Sequence, residues 1–260
     1  MKTFQRRQEI FQYISVKKNV KISELKEVFH VSEVTIRSDL DFLASQGRVE
    51  RSHGGATFID NSTPVEVILP HTPLLDAKIA IAKKAAELIV PGDTLFLDSS
   101  ATSVVLASQL GPDSNISVIT NSLPIINLLK LAPGIRLYAI PGLYNPLTNS
   151  FNGPLGETFI SQLKTSKAFI SPKGILVEGL RDLTADEAAI HKVMIESTKE
   201  AIILADHSKF NNFEVLFQIS DFGRISAVVT DRTPEKQFFD IFNKKQIGLI
   251  TTDSAQLQES

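Results

Sequence analysis

Arg37 lies in the run SEVTIRSDLDFLASQG, where Ile36, Leu40 and Leu43 recur at i, i+4 and i+7. That spacing gathers the apolar side chains on one face of a helix and leaves Glu33, Val34, Thr35, Arg37, Ser38 and Asp41 outward. Short polar and basic side chains on an outer helix face are what the edges of base pairs in a DNA major groove require. Arg37 is the leading candidate, because its planar fork can pair with guanine or clamp a phosphate. Thr35 and Ser38 suit shorter-range contacts, and Ser32 and Glu33 open the same helix. An i, i+4 ion pair with Asp41 on a solvated face is the alternative use of Arg37. Arg51 and His53 flank Gly54-Gly55 just downstream, and Arg6 with Arg7 begins an earlier helix, so all four are candidate phosphate partners.

A second cluster carries anion chemistry. Asp98-Ser99-Ser100-Ala101-Thr102 follows the apolar run Thr94-Leu95-Phe96-Leu97 and precedes a helix. Hydroxyls and free backbone N–H groups at such a junction favour an anion such as phosphate. Thr120-Asn121-Ser122 ends the next strand in the same way. Ligands of open α/β sheets gather beyond the carboxyl ends of strands, so both segments are candidates to line one crevice. The same residue types are also ordinary N-caps. Lys209, in DHSKF, offers a cation to a phosphate or is a surface lysine. Asp206 and His207 beside it have no nucleophile or second base at telling spacing, and no catalytic role, metal or cofactor is assigned.

The elements that must position these residues follow from periodicity. Ile10, Phe11 and Ile14 mark a first helix closed by Asn19 and its lysine neighbours. Ser23 is the expected N-cap of a second helix with Leu25, Val28 and Phe29 inward, and Ser32 caps a third running from Glu33 to about Ser45, stopped by Gly47. Residues 48–57 alternate around Gly54-Gly55, a dipeptide suited to the positive φ of a hairpin turn, and read as a wing. The first domain is therefore 1–58. Residues 59–77 are rich in proline and aperiodic, a linker. From Lys78 onward helices and short apolar strands alternate: helix 79–89, strand 94–97, helix 102–110, strand 116–119, helix 123–131 and strand 135–140. Further strands are expected near 168–171, 202–204, 227–229 and 247–250. This pattern predicts an α/β domain over 78–260 with a largely parallel sheet buried on both faces.

Composition agrees. The chain of 260 residues has no cysteine, which excludes disulfides and thiolate metal sites and fits a cytoplasmic location. No secretory or membrane-spanning segment is expected. The net charge is −2, but residues 1–58 hold 10 basic against 7 acidic side chains and the remainder holds 17 against 22. The basic excess sits where phosphate contact needs it.

The run VSEVTIRSDLDFLASQGRVERSHGGA resembles the winged-helix signature of the DeoR family of bacterial sugar-metabolism regulators, and the likeness continues through GDTLFLDSSAT, VITNSLP, KAFISPKGI, LADHSKF and VVTD. The resemblance implies a winged helix-turn-helix followed by a ribose-5-phosphate isomerase-like sensor domain, and a repressor relieved by a phosphorylated sugar. It implies effector contacts at Asp98, Ser99, Thr102, Thr120, Asn121 and Ser122, with Gly142 and Lys209 as further ones. Ser100 and Ala101 stand where the family pattern has glycine and threonine, which removes one hydroxyl and adds a Cβ. Pro141-Gly142 replaces paired glycines, and Ser166 replaces an aspartate. The expected partners are double-stranded operator DNA, a sugar phosphate and further copies of the chain in a dimer or tetramer. An isomerase or transferase with a DNA-binding tail, and a protein-binding adaptor, are the competing readings; the first needs a placed acid and base that the sequence does not display.

Overall fold

The computed structural model describes residues 3–45, 49–52, 54–58, 69, 71–111 and 114–253. The chain divides into two compact units, one built on residues 1–63 and one holding most of 64–260. The first unit contains helices α1 (Thr3–Lys17), α2 (Ile22–Phe29) and α3 (Glu33–Ser45) and strands β1 (Asn19–Lys21), β2 (Val49–Ser52) and β3 (Gly55–Phe58). Ile10, Ile14, Leu25, Ile36, Leu40 and Leu43 meet in its core at no measurable exposure. The i, i+4, i+7 stripe of α3 faces inward as its spacing predicts.

Three local expectations are corrected. The wing is a three-stranded sheet in the order β1-β3-β2, because the chain leaves α1 through a left-handed Lys18 and pairs residues 19–21 with Gly55 to Thr57. The helix α2 consequently starts at Ile22 rather than after Ser23. Its entry is held by the Ile22 N–H donating to the Gly54 carbonyl at 2.9 Å, and Lys21 at the cap position supplies no side-chain bond. Val28 faces outward at 44 % exposure, since α2 turns only Ile22 and Leu25 fully into the core. Gly47 and Arg48 lie outside the described residues.

The second unit begins with α4 (Leu75–Ala86), which starts earlier than the pattern predicts and takes the last residues of the expected linker. There follow β4 (Thr94–Leu97), α5 (Ala101–Ser108), β5 (Ile116–Thr120), α6 (Leu123–Leu129), β6 (Ile135–Ala139), the hairpin β7 (Leu143–Asn145) and β8 (Ser150–Asn152), and α7 (Pro154–Ser161). Then come β9 (Thr165–Ile170), β10 (Gly174–Leu176), β11 (Gly179–Asp182), α8 (Ala185–Glu196), β12 (Thr198–Ala205), a 3₁₀ turn (His207–Lys209), β13 (Phe217–Ser220), β14 (Ile225–Thr230), α9 (Lys236–Lys244) and β15 (Gly248–Thr251). Seven strands form one sheet in the order β15-β14-β12-β9-β4-β5-β6, with every neighbouring pair parallel. The α/β class and the buried parallel sheet are thus as expected. The hairpin β7–β8 and the antiparallel sheet β10-β11-β13 were not anticipated, because their strands are only three or four residues long.

Strand order reverses at β4: β5 lies on one side, and the chain returns to place β9 on the other. Both carboxyl ends therefore splay their following loops apart, which opens a crevice at this point of the sheet.

Gly55 takes no left-handed φ; its need is space. A Cβ there would stand 2.0 Å from the Val20 carbonyl oxygen of β1, whereas a Cβ on Gly54 would meet nothing within 4 Å. Gly55→Ala is expected to cost the first unit about 1–3 kcal/mol by overpacking, and Gly54→Ala to change it far less. Urea unfolding of the two variants followed by far-ultraviolet circular dichroism checks the contrast.

Candidate DNA-reading face and effector crevice

On α3, Ser32 caps the helix as expected: its Oγ accepts the Thr35 N–H at 3.2 Å and lies 2.9 Å from Thr35 Oγ1. Glu33, Val34, Arg37, Ser38 and Asp41 form an exposed face. Arg37 pairs with Glu33 at 2.7 Å rather than with Asp41, and both partners are about half exposed, so this contact is easily exchanged for another. Asp41 instead accepts Arg51 from the wing at 3.0 Å, which ties β2 to the outer face of α3. His53 lies outside the described residues.

Arg6 and Arg7 occupy a different position from the one their sequence suggests. Both donate to the carboxylate of Asp39, at 2.6 and 2.8 Å, and Asp39 is 1 % exposed on the inner side of α3. The Arg7 guanidinium also stacks over the Phe42 ring at 4.1 Å. These two arginines brace α3 against α1.

In the second unit, a crevice of about 190 Å³ is lined by Ser99, Ser100, Ala101, Leu147, Thr148, Ser171, Lys173, Glu187 and His191. Three of the expected residues line it: Ser99, Ser100 and Ala101. Asp98 is fully buried behind them. Its Oδ1 accepts the Ser100 N–H and hydroxyl at 3.1 and 2.6 Å, and its Oδ2 accepts the Ser171 N–H at 2.7 Å. Ser100 in turn caps α5 by accepting the Ser103 N–H at 3.1 Å. Asp98 therefore shapes the crevice rather than facing it.

Thr102, Thr120, Asn121 and Ser122 are buried and do not line the crevice. Thr120 accepts the Ser122 N–H, Ser122 caps α6 through the Ile125 N–H, and the Asn121 amide donates to Asn152 on β8 at 3.1 Å. Capping accounts for Thr120 and Ser122, and the link to the β7–β8 hairpin engages the Asn121 amide nitrogen, while the buried Asn121 Oδ1 has no hydrogen-bond partner among the described residues. Gly142 answers the same hairpin: a Cβ on it would stand 2.6 Å from the Asn152 carbonyl oxygen. Ser166 sits at the opposite end of the sheet, where its hydroxyl donates to Asp93 at 2.8 Å and accepts the Thr94 N–H. Lys209 stands on the 3₁₀ turn after β12, where burial, with Lys173 and Lys78 adding to it, holds it below its ordinary value against the pull of Asp206.

The residues that sequence reasoning missed are Leu147, Thr148, Ser171, Lys173, Glu187 and His191. Ser171 and Lys173 follow an apolar strand just as Asp98 and Ser99 do, so the signal used for DSSAT would have found them in KAFISPKGI. His191 had none, since its partners are distant in sequence. Its Nδ1 lies 2.6 Å from Asp182 and its Nε2 3.3 Å from Asp98, while Glu187 stands one turn earlier on α8. Burial pushes the imidazole pKa down, but Asp182, Asp98 and Glu187 override it and raise it to about 9. At neutral pH the crevice wall thus holds an imidazolium, with Lys173 and the positive end of α5 beside it.

A folded value of about 9 against 6.5 for the free side chain means that His191 stabilises the second unit fully below about pH 6.5, a contribution lost as pH rises through about 9. His191→Gln is expected to lower stability at pH 6 by on the order of 2–3 kcal/mol, because Asp182 and Asp98 lose their counter-charge. The deficit shrinks as pH passes 9. Scanning calorimetry of both proteins across this range measures it.

A model of the DeoR-like helix-turn-helix domain matches residues 6–62, and one of the DeoR C terminal sensor domain matches residues 75–232. The chain is 34 % identical over 243 residues to the HTH-type transcriptional regulator IolR of Bacillus subtilis (strain 168), covering 93 % of this chain and 96 % of that one. It is 33 % identical over 233 residues to a putative aga operon transcriptional repressor of Escherichia coli O157:H7, covering 88 % and 86 %. Among solved structures, ribose 5-phosphate isomerase A from Methanocaldococcus jannaschii aligns with a TM-score of 0.38 at 17 % identity over 52 % of this chain and 54 % of the isomerase. Among the described residues no helix is long and apolar enough to cross a membrane. With a helix-turn-helix match on the first unit and a sensor-domain match on the second, the chain belongs to the DeoR family of transcriptional regulators.

Proposed function

We propose that this regulator represses a carbohydrate-metabolism operon in the cytoplasm and changes its grip on operator DNA when a phosphorylated sugar enters the crevice between the ends of β4 and β9. The observation that carries the reading is the crevice itself, where hydroxyls, a helix N-terminus, Lys173 and an imidazolium converge at the switch point of a parallel sheet. The names of the relatives, which include an aga operon repressor and a lactose phosphotransferase system repressor, agree with a sugar-derived signal.

In this reading Arg37, Ser38 and Thr35 meet base edges, Ser32 and Glu33 open the helix at the groove, and Arg51 and His53 meet phosphates from the wing. Arg6 acts indirectly, by holding α3 through Asp39. The protein works as at least a dimer, since helix-turn-helix readers engage paired half-sites about 34–36 Å apart. It is not an enzyme: both ring nitrogens of His191 are engaged by carboxylates, so the imidazolium is a fixed charge rather than a general base.

Arg37→Ala is expected to lose about 1–3 kcal/mol of discrimination between operator and unrelated DNA, a factor of roughly 5–150. Fluorescence anisotropy with DNA from upstream of the protein's own gene and an unrelated competitor measures this; equal selectivity in the variant removes Arg37 from base recognition. Adding a panel of sugar phosphates to the wild type should shift operator affinity with one class of compound, and Lys173→Gln should require at least tenfold more of it. If no compound shifts binding, the effector reading fails.

A further inference from the structure

Helix α4 is the first helix of the second unit, and Lys78 stands in its first turn, only 8 % exposed. Its ammonium donates to Asp206 Oδ2 at 2.8 Å and to the Pro73 carbonyl at 2.8 Å. Asp206 follows β12 and is 1 % exposed; its other oxygen accepts from the backbone and hydroxyl of Ser208. One carboxylate thus grips the turn bearing Lys209 with one oxygen and the start of α4 with the other. The gripped segment is strained. His71 and Leu74 hold left-handed φ values of 59° and 54°, and Leu74 precedes α4 without a side-chain cap. Bulky residues keep that conformation only where their surroundings impose it.

The charges around this grip are unbalanced in a useful way. Lys209 lies within electrostatic reach of both Lys78 and Lys173, and of Asp206 and Asp182. Lys173 is also a wall of the crevice. An anion bound beside Lys173 offsets the repulsion that Lys173 exerts on Lys209, so Lys209 draws less on Asp206 and leaves it more fully to Lys78.

We propose that Lys78 is a positioning residue that carries occupancy of the crevice by a phosphate-bearing ligand to the strained segment 71–74: ligand tightens the Lys78–Asp206 clasp, and the empty crevice loosens it. The proposal rests on the effector reading above. It adds a route by which a bound anion alters the first segment of the second unit, and a ligand shifts an equilibrium only through such a difference between two states.

Hydrogen exchange by mass spectrometry on the full chain tests it, with inorganic phosphate and glucose 6-phosphate as probes. In the wild type, either probe should slow exchange several-fold both in residues 99–103 and in residues 71–78. In Lys78→Met, exchange at 71–78 should rise several-fold without ligand, protection at 99–103 should persist, and protection at 71–78 should vanish. A lysine that merely stabilises the fold would leave ligand protection at 71–78 intact in the variant, and that result overturns the proposal. Protection at 99–103 without any at 71–78 in the wild type also overturns it. If neither probe protects 99–103, the effector reading has failed at its own site, and unchanged exchange at 71–78 in ligand-free Lys78→Met would separately show that no clasp exists.

Discussion

The second unit is organised around one buried carboxylate. Asp98 is completely shielded from solvent, so its charge is tolerable only if every lone pair is engaged. The partners it recruits come from three places: Ser100 at the start of α5, the Ser171 N–H after β9, and His191 from α8. Satisfying this group joins two strand ends and two helices at the point where strand order reverses. The crevice is the space left when those elements are pulled to one anchor, and its anion-seeking wall is the outward side of the same network.

The first unit uses a comparable device for another purpose. Asp39 is buried under α3 and holds Arg6 and Arg7 from α1, while Asp41 on the outer face takes Arg51 from the wing. One helix is braced from below and from the side, which leaves Arg37 and Ser38 exposed on a surface that cannot tilt freely. A reading helix needs that rigidity, because contacts to base edges discriminate only when the backbone is held at a set distance.

Lys78 and Asp206 extend the same logic to communication. A buried ion pair contributes little net stability, since desolvation offsets attraction, yet it couples strongly to any charge brought nearby. Holding the strained entry to α4 and linked through Lys209 to Lys173 on the crevice wall, such a pair is suited to transmit rather than merely to hold. The departure from the family pattern at Ser100 fits this economy: its hydroxyl both caps α5 and satisfies Asp98, so the residue serves the anchor whether or not a ligand is bound.

Local chemistry was legible in the chain. The inward stripe of Ile36, Leu40 and Leu43, the Ser32 cap, the parallel α/β alternation and the strand-end hydroxyls of residues 98–102 all depend on spacings of a few residues, which the backbone geometry of helices and strands imposes by itself. The burial of Thr120, Asn121 and Ser122 was not legible, because a capping residue and a ligand contact have the same composition. Nor was the pairing of Arg6 with Asp39, of His191 with Asp182 and Asp98, or of Lys78 with Asp206, the last of these 128 residues apart. Sequence alone determined the reading helix with its Ser32 cap, the alternating helices and strands of the parallel sheet and the hydroxyl-rich end of β4, but not the short hairpin strands or the starts of α2 and α4. Only the tertiary structure decided which charges meet, because a carboxylate removed from water takes whatever cation the fold brings to it, and that choice is made by strand order rather than by neighbours in the chain.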